Sequence, residues 1–460
     1  MKKTGPVLAV WIAVVGFFVD PTPHTTVSPE KPAFKITIIG NAPDCTSAEH
    51  TPKLDVECAV FRGADAASKS ELFQHSISAA KISVKIDYKN DKGDPEEASR
   101  LARSLVADEE TLAVIGHSRS QTTRAAVRIY AEANMAIMLA NSSSVLATVP
   151  APVPMLTALG WFDSHFRGRR SENAFRIIPN DSDGQAPAIV NLVRALLQKD
   201  PSEVLLIADT AGNNANYAVP LTAAIASRMM PTQSPMSSAW GYARVGLSVD
   251  GKRDLTSDSE LKQALSGRST VVYVGEADGA DRFLPAALEV FNDAKPHYII
   301  LSDSNKGLSL NKLRVPPNIH LLLTFPAPYF SASHTPKSRL EALFMASVLE
   351  TATQSYEIYG YDSMLMLAKA IERMQGKIGR RELVAVVRDM PGFHGVQGIY
   401  LMHDGENVLR EYSIYSSDLP VAKGINTCVP FGDGDRPGAL PDGFSYACTI
   451  KGEAMIESSL

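Results

Sequence analysis

Short apolar runs alternate along this chain with longer stretches in which apolar residues recur at helical spacing. Phe34–Gly40 (FKITIIG), Ile82–Tyr88 (ISVKIDY), Thr111–Gly116 (TLAVIG) and Met135–Ala140 (MAIMLA) have the length and composition of strands. Between them, Ala59–Phe73, Pro95–Ala107 and Gln121–Asn134 carry helical periodicity, and the acidic start of the second suits the positive end of a helix dipole. The pattern pauses over the irregular stretch Ser142–Asn173, which carries Pro150, Pro152, Pro154 and Gly160. It restarts with strands Ala174–Ile178, Glu203–Ala208, Thr270–Gly275 and His297–Leu301, and with helices near Ala186–Leu197, Pro220–Met229 and Asp281–Asp293. After Val315–Thr324 come two long helical patterns, Ser338–Ser355 and Tyr361–Gln375; the Met/Leu stripe of the second reads as core. A hairpin of Gly398–Met402 and Val408–Ile414, turned by residues 403–407, follows, and beyond Ser416 the Pro/Gly-rich tail reads as irregular.

Strands alternating with helices of this length imply parallel sheets covered on both faces. Two such runs predict an α/β protein with two Rossmann-like, doubly wound lobes, and the pause marks a boundary or crossover between them. At 460 residues the chain is too long for one core.

The net charge of -5 gives no general attraction to nucleic acid, and Arg167–Arg170 (RGRR) is too short a basic run to change that. No nucleic-acid partner is expected. Lys2 and Lys3 precede an uncharged apolar run, Pro6–Val19, shorter than the ~18 residues a membrane span needs and suited to a signal peptide. Val19-Asp20-Pro21 is not an A-x-A-like cleavage site, so an uncleaved anchor is the alternative, and membrane contact is then limited to this segment. Residues 20–33 read as a linker. The expected location is periplasmic or extracellular. In an oxidising compartment, Cys45 with Cys58 and Cys428 with Cys448 form two local disulfides in the most economical reading, although four cysteines allow three connectivities. Their spacing does not suit a zinc site, and no metal is expected.

Candidate chemistry lies after the strands. Gly116–Thr123 (GHSRSQTT) crowds Ser118, Ser120, Thr122 and Thr123 at a helix N-terminus, where free N–H groups and the dipole attract an anion such as a carboxylate. Asn141, Ser142, Ser143 and Ser144 follow the next strand in the same way, so both clusters face one cleft. Helix capping needs only one hydroxyl per helix and leaves this density unexplained. In the second run, 209–217 (ending at Tyr217), 275–278 (with Glu276) and 301–304 (with Asp303) put polar groups at strand ends, and Asp303 or Glu276 is placed to hold an ammonium group. Gly116-His117-Ser118-Arg119-Ser120 is one residue away from the G-x-S-x-G nucleophile elbow, with His394 and His403 downstream. A serine hydrolase using Ser118 is therefore an alternative. The last position is Ser120 rather than Gly, and no oxyanion segment precedes it. No P-loop, H-E-x-x-H or G-x-G-x-x-G motif is present, so no cofactor is expected and the chain reads as no enzyme.

Together these features resemble the type 1 periplasmic binding proteins, and within them the leucine/isoleucine/valine receptors. Tyr88–Ala98 (YKNDKGDPEEA) resembles the family's strand end and helix start, and Ala113–Thr123 (AVIGHSRSQTT) its Ser-rich segment. Leu139–Ser144 is similar to its second Ser/Thr loop, Ala174–Asp181 (AFRIIPND) to its crossover, Tyr359–Ala370 (YGYDSMLMLAKA) to a later helix, and Gly392–Ile414 to its closing hairpin. The resemblance spans Phe34 to Ser416. It implies lobes joined by three crossovers that hinge shut on a ligand. It also implies a ligand carboxylate held by Ser118, Ser120, Asn141 and Ser143, and an amino group held by Asp303. Asn213-Asn214 stand where the family has Tyr-Gly, so an aromatic wall is lost or moved to Tyr217, and Glu276-Ala277 depart from its tyrosine loop. Residues 145–173 and the tail have no family counterpart.

The expected organisation is an export signal and linker over 1–33, a first lobe of 34–174 with 330–395, a second lobe of 175–329 with 396–416, and a disulfide-stapled tail over 417–460. The function expected is that of an exported receptor that closes on a small polar ligand, an amino acid or small carboxylate, for ABC-type uptake or sensing. A permease or signalling partner goes with that role. A degenerate module that binds another protein is the second alternative.

Overall fold

The computed structural model describes residues 32–42, 45, 58–148, 171–197, 204–210, 214–229, 241–243, 259–305, 313–326, 336, 338–348, 356–374, 377–403, 405–407, 411–417 and 445–451. The first half runs β1 (Ala33–Gly40), α1 (Ala59–Lys69), α2 (Glu71–Ala79), β2 (Ser83–Asn90), α3 (Pro95–Ala107), β3 (Thr111–Ile115), α4 (Ser120–Glu132), β4 (Ala136–Leu139) and β5 (Ala174–Arg176). The second half follows with α5 (Ala186–Leu197), β6 (Val204–Ala208), α6 (Ala215–Met229), β7 (Gly241–Ala243), α7 (Ser259–Leu265), β8 (Thr270–Val274), α8 (Ala277–Val290), β9 (His297–Leu301) and β10 (Ile319–Phe325). After these come helices α9 (Arg339–Val348), α10 (Tyr356–Arg373) and α11 (Arg380–Arg388), then short strands β11 (Phe393–Gly395), β12 (Gly398–Tyr400), β13 (Met402–His403) and β14 (Glu406–Asn407). β15 (Glu411–Ser416) and β16 (Ser445–Lys451) end the described chain.

Two sheets of seven strands result. One has the order β13-β14-β5-β4-β3-β1-β2 and the other β16-β15-β10-β9-β8-β6-β7. The five parallel strands of each repeat one winding, with the second strand of the run outside the first and the third on its other side. The direction of winding therefore reverses between β1 and β3, and again between β6 and β8. In open α/β sheets a crevice opens at such reversals, beyond the carboxyl ends of the strands. The expected two-lobed, doubly wound architecture is observed. The chain crosses between the sheets after β5, after β10 and after β14, because α10 packs on α1 of the first lobe while β15 pairs antiparallel with β10 of the second.

The strands β3, β4, β6 and β8 are buried along their whole length, as expected of parallel strands with helices on both faces. Local signals set the helix limits. Asp94 accepts hydrogen bonds from the N–H groups of Glu96 and Glu97 at 2.7 and 2.9 Å, with Pro95 in the first turn, so α3 begins there. Ser70 accepts from the Phe73 N–H and splits the single helix predicted over Ala59–Phe73 into α1 and α2. Cys45 and Cys58 form the expected disulfide, which ties the connection after β1 to the start of α1. Cys428 and the Cys448 side chain lie outside the described residues, as do the export segment and the insertion 149–170.

Three sequence expectations about the C-terminal part need correction. Among the described residues Gly398–Met402 does not pair with Glu411–Ile414. β12 instead forms a tight hairpin with β11, and β14 joins the first sheet beside β5. Tyr412 and Ile414 are fully buried, so β15 gains more by pairing inside the second sheet than at an exposed hairpin. The tail is not wholly irregular, since β16 adds to β15. Residues 402–407 belong to the first sheet, not to the second lobe. Among the described residues no helix is long and apolar enough to cross a membrane.

Candidate functional site

The chain turns sharply out of β3 at Gly116, whose φ of +133° lies where glycine is favoured. A Cβ there would stand 2.4 Å from the Ile39 carbonyl oxygen, so β1 and this turn approach too closely for a side chain. His117, next in sequence, is fully buried. Its Nδ1 lies in hydrogen-bond contact with the Asp91 carboxylate at 2.8 Å, and its Nε2 with the Tyr130 hydroxyl at 3.1 Å. Both ring nitrogens are thereby occupied, and the imidazole anchors the turn to β2 and α4.

This anchoring presents Ser118 and the first turn of α4 to the space between the lobes. No side chain caps α4. The Thr122 and Thr123 hydroxyls donate back to the Arg119 carbonyl, each at 2.9 Å, leaving the first-turn N–H groups without side-chain partners. The hydroxyl density that capping could not explain is thus used in two ways. Some hydroxyls brace the turn, and the others face a cleft.

That cleft has a volume of about 220 Å³. On the first lobe it is lined by Ser118, Ser120, Asn141 and Ser143, together with Arg119 and Gln121. Tyr217, Glu276, Asp278, Asp303 and Ser304 line the second lobe, and Tyr356 at the start of α10 contributes a ring. Seven of the nine expected contacts, Ser118, Ser120, Asn141, Ser143, Tyr217, Glu276 and Asp303, therefore meet around one space. Thr122 and Ser142 do not line it. Both are fully buried; Thr122 braces the helix, while the Ser142 carbonyl accepts from Arg176 and its hydroxyl approaches that of Ser120 at 3.4 Å. Sequence reasoning passed over Arg119, Asp278 and Ser304, which sit inside segments it did single out. Tyr356 carries no motif and could not have been found.

Two cleft atoms lack any partner among the described residues. The Ser118 Oγ and the Asn141 Oδ1 are shielded from solvent and make no hydrogen bond. Leaving a buried polar atom unpaired costs about 1–3 kcal/mol, so such atoms in a cleft mark places where a solute supplies the missing bond.

The second-lobe wall is acidic. Asp303 is buried and accepts a short hydrogen bond from the Tyr217 hydroxyl, and burial raises its pKa. Glu276 starts α8 and meets the Arg119 guanidinium across the cleft at 3.4 Å. Burial raises its pKa as well, with Arg119 acting in the opposite direction. Further bridges hold the lobes together. Arg124 donates to the Asn216 side chain at 2.8 Å, and the Ser144 hydroxyl donates to the Asn216 carbonyl at 2.9 Å.

The nucleophile-elbow alternative finds no support in this geometry. Ser118 Oγ hydrogen-bonds to no base among the described residues, and the neighbouring His117 is fully engaged elsewhere. His394 lies exposed on β11, and the His403 side chain is outside the described residues.

No protein-family profile matches the chain, and no curated protein matches it. Solved structures do. The leucine binding protein LivK from Thermotoga maritima is 17% identical, with a TM-score of 0.62 over 91% of this chain and 99% of that one. An ABC transporter substrate-binding protein from Desulfitobacterium hafniense, in complex with Leu, is 17% identical, with a TM-score of 0.58 over 91% and 100%. A solute binding protein of an ABC transporter from R. palustris, in complex with 4-hydroxybenzoate, is 14% identical, with a TM-score of 0.62 over 93% and 100%. The chain has the type 1 periplasmic binding-protein fold that these binding proteins share.

Proposed function

We propose that this protein is an exported solute-binding receptor whose two lobes clamp a small polar ligand, an amino acid or small carboxylate, for ABC-type uptake or sensing. The observation that carries this reading is the pair of unpartnered cleft atoms, Ser118 Oγ and Asn141 Oδ1, beside the uncapped N-terminus of α4. An uncapped helix start with hydroxyls around it suits a carboxylate. The acidic residues opposite suit an ammonium group, and the three crossovers suit hinge closure. The basic and apolar segment Lys2–Val19 supports export. The structural neighbours that hold Leu and 4-hydroxybenzoate support the choice of small solutes.

Thermal unfolding against a panel of amino acids and small carboxylates tests the reading. A solute present at about 100 times its dissociation constant should add about 2.7 kcal/mol of stability. If no member of such a panel moves the unfolding temperature of well-folded protein, the degenerate protein-binding module becomes the better reading. A serine-hydrolase probe should leave Ser118 unlabelled.

A further inference from the structure

The bridges between the lobes fall into two sets. Arg119 meets Glu276 at 3.4 Å, and both residues line the cleft, so that pair lies where a solute can reach it. Arg124, Ser144 and Asn216 do not line the cleft. There the Arg124 guanidinium donates to the Asn216 side chain at 2.8 Å, and the Ser144 hydroxyl donates to the Asn216 carbonyl at 2.9 Å. One residue of the second lobe thus receives two hydrogen bonds from the first, from two separate elements.

α6 makes the second of these bonds available. In a helix the carbonyl of each residue accepts from the N–H four residues later. Four residues after Asn216 stands Pro220, inside α6, which has no N–H to give. The Asn216 carbonyl is therefore released from that place in the helix ladder and is open to a donor from outside. Ser144 is fully buried, and its surroundings fix it for this task. Its N–H meets the Ser120 hydroxyl at 3.4 Å, and its own hydroxyl accepts from the Leu146 N–H at 3.4 Å. Arg124 stands one turn beyond Ser120 on α4, on the same face of the helix. The contacts also adjoin the cleft in the chain. Ser144 follows Ser143, and Asn216 precedes Tyr217, whose hydroxyl donates to Asp303.

We propose that Arg124, Ser144 and Asn216 form a clasp that holds the two lobes together by protein contacts alone, with Pro220 freeing the carbonyl on which it closes. Closure then does not wait for a solute. The closed arrangement is the resting one, and a solute enters when the clasp parts. These four are positioning residues: they touch no part of the cleft, and they set how often it stands open.

The Ser118→Cys substitution in the full chain supplies the test, because the Ser118 Oγ is shielded from solvent. A bulky maleimide reaches that sulfur only when the lobes part, and peptide mass spectrometry follows the modification at this residue with no solute added. Modification should be much slower than at an exposed thiol. Adding Ser144→Ala or Arg124→Ala should speed it about tenfold, the worth of one hydrogen bond. Pro220→Ala gives the Asn216 carbonyl an N–H within α6, and should speed modification several-fold while thermal stability holds or rises. A proline that served the helix alone would leave the rate unchanged when replaced. Circular dichroism checks each variant, and if Ser144→Ala fails to fold, Arg124→Ala and Pro220→Ala decide. Modification of the Ser118→Cys protein at the rate of an exposed thiol overturns the proposal, as does an unchanged rate in any folded clasp variant. Neither result touches the solute-binding reading, which the thermal panel tests separately.

Discussion

Two buried polar clusters lie within a few residues of each other on the crossover after β5, and they differ in one respect. Around Arg176 the hydrogen bonds are made: its guanidinium donates to Glu406 and to the Ser142 carbonyl at 2.7 Å, and Asn180 donates to the other Glu406 oxygen at 3.2 Å. Around Asp181 few are made: among the described residues neither carboxyl oxygen nor the Tyr412 hydroxyl has a hydrogen-bond partner of good geometry. The first cluster joins β5, β14 and the loop after β4 into one unit. The second lies behind the cleft wall, where the Asp181 N–H donates to the Ser143 carbonyl at 3.0 Å. Equal burial thus hides opposite roles, and hydrogen-bond satisfaction separates them. A satisfied buried cluster holds the fold, while an unsatisfied one costs stability and calls for another explanation.

The largest expected effect tests the satisfied side. Arg176→Ala removes one partner of a buried pair and leaves Glu406 uncompensated, which should cost about 3–5 kcal/mol in denaturant unfolding. A loss under about 1 kcal/mol would mean that Glu406 simply takes up a proton, and the contrast would weaken.

A second test asks whether a satisfied acid is free of pH dependence. Asp362 on α10 accepts from the Val396 N–H at 2.9 Å and from the Tyr400 hydroxyl at 2.7 Å, yet burial pushes its pKa from 3.8 up to about 7. The folded chain therefore holds a proton there that the unfolded chain has already lost. Its contribution to stability is complete below pH 3.8 and is lost as the pH rises through 7. Thermal unfolding followed across that range should show a decline on the order of a few kcal/mol from this group, and Asp362→Asn should flatten it. An unchanged slope in the variant would assign the decline to other acids, Asp181 and Asp303 first among them.

The smallest effect on stability belongs to the unsatisfied side. Ser118→Ala deletes an atom with no partner, so stability should change by no more than about 0.5 kcal/mol. Affinity for the solute should nonetheless fall about tenfold, the worth of one hydrogen bond of roughly 1.4 kcal/mol. A large loss of stability with unchanged affinity would place Ser118 among the structural hydroxyls with Thr122 and Thr123.

The strands, most helices and the two-lobed winding are legible in the sequence because they depend on local periodicity. A run such as TLAVIG must be buried on both faces, wherever its neighbours come from. The hydroxyl-rich segments after β3 and β4 are legible for a related reason, since the carboxyl ends of adjacent parallel strands in such a winding open on one crevice. Where strand pairing depended on distant partners, as for β12, β15 and β16, the chain pattern misled, because a hairpin is the nearest pairing but here not the one that buries Tyr412 and Ile414. The same holds for single side chains. In sequence, nothing separates Ser118 from Thr122, or Asp181 from Glu406. The sequence by itself determined which residue types stand at the strand ends and so what chemistry the cleft has at its disposal. Only the tertiary structure decided which of them find partners, because Arg176 meets Glu406 across 230 residues of chain, and whether a buried polar atom is satisfied depends on neighbours that local pattern cannot name.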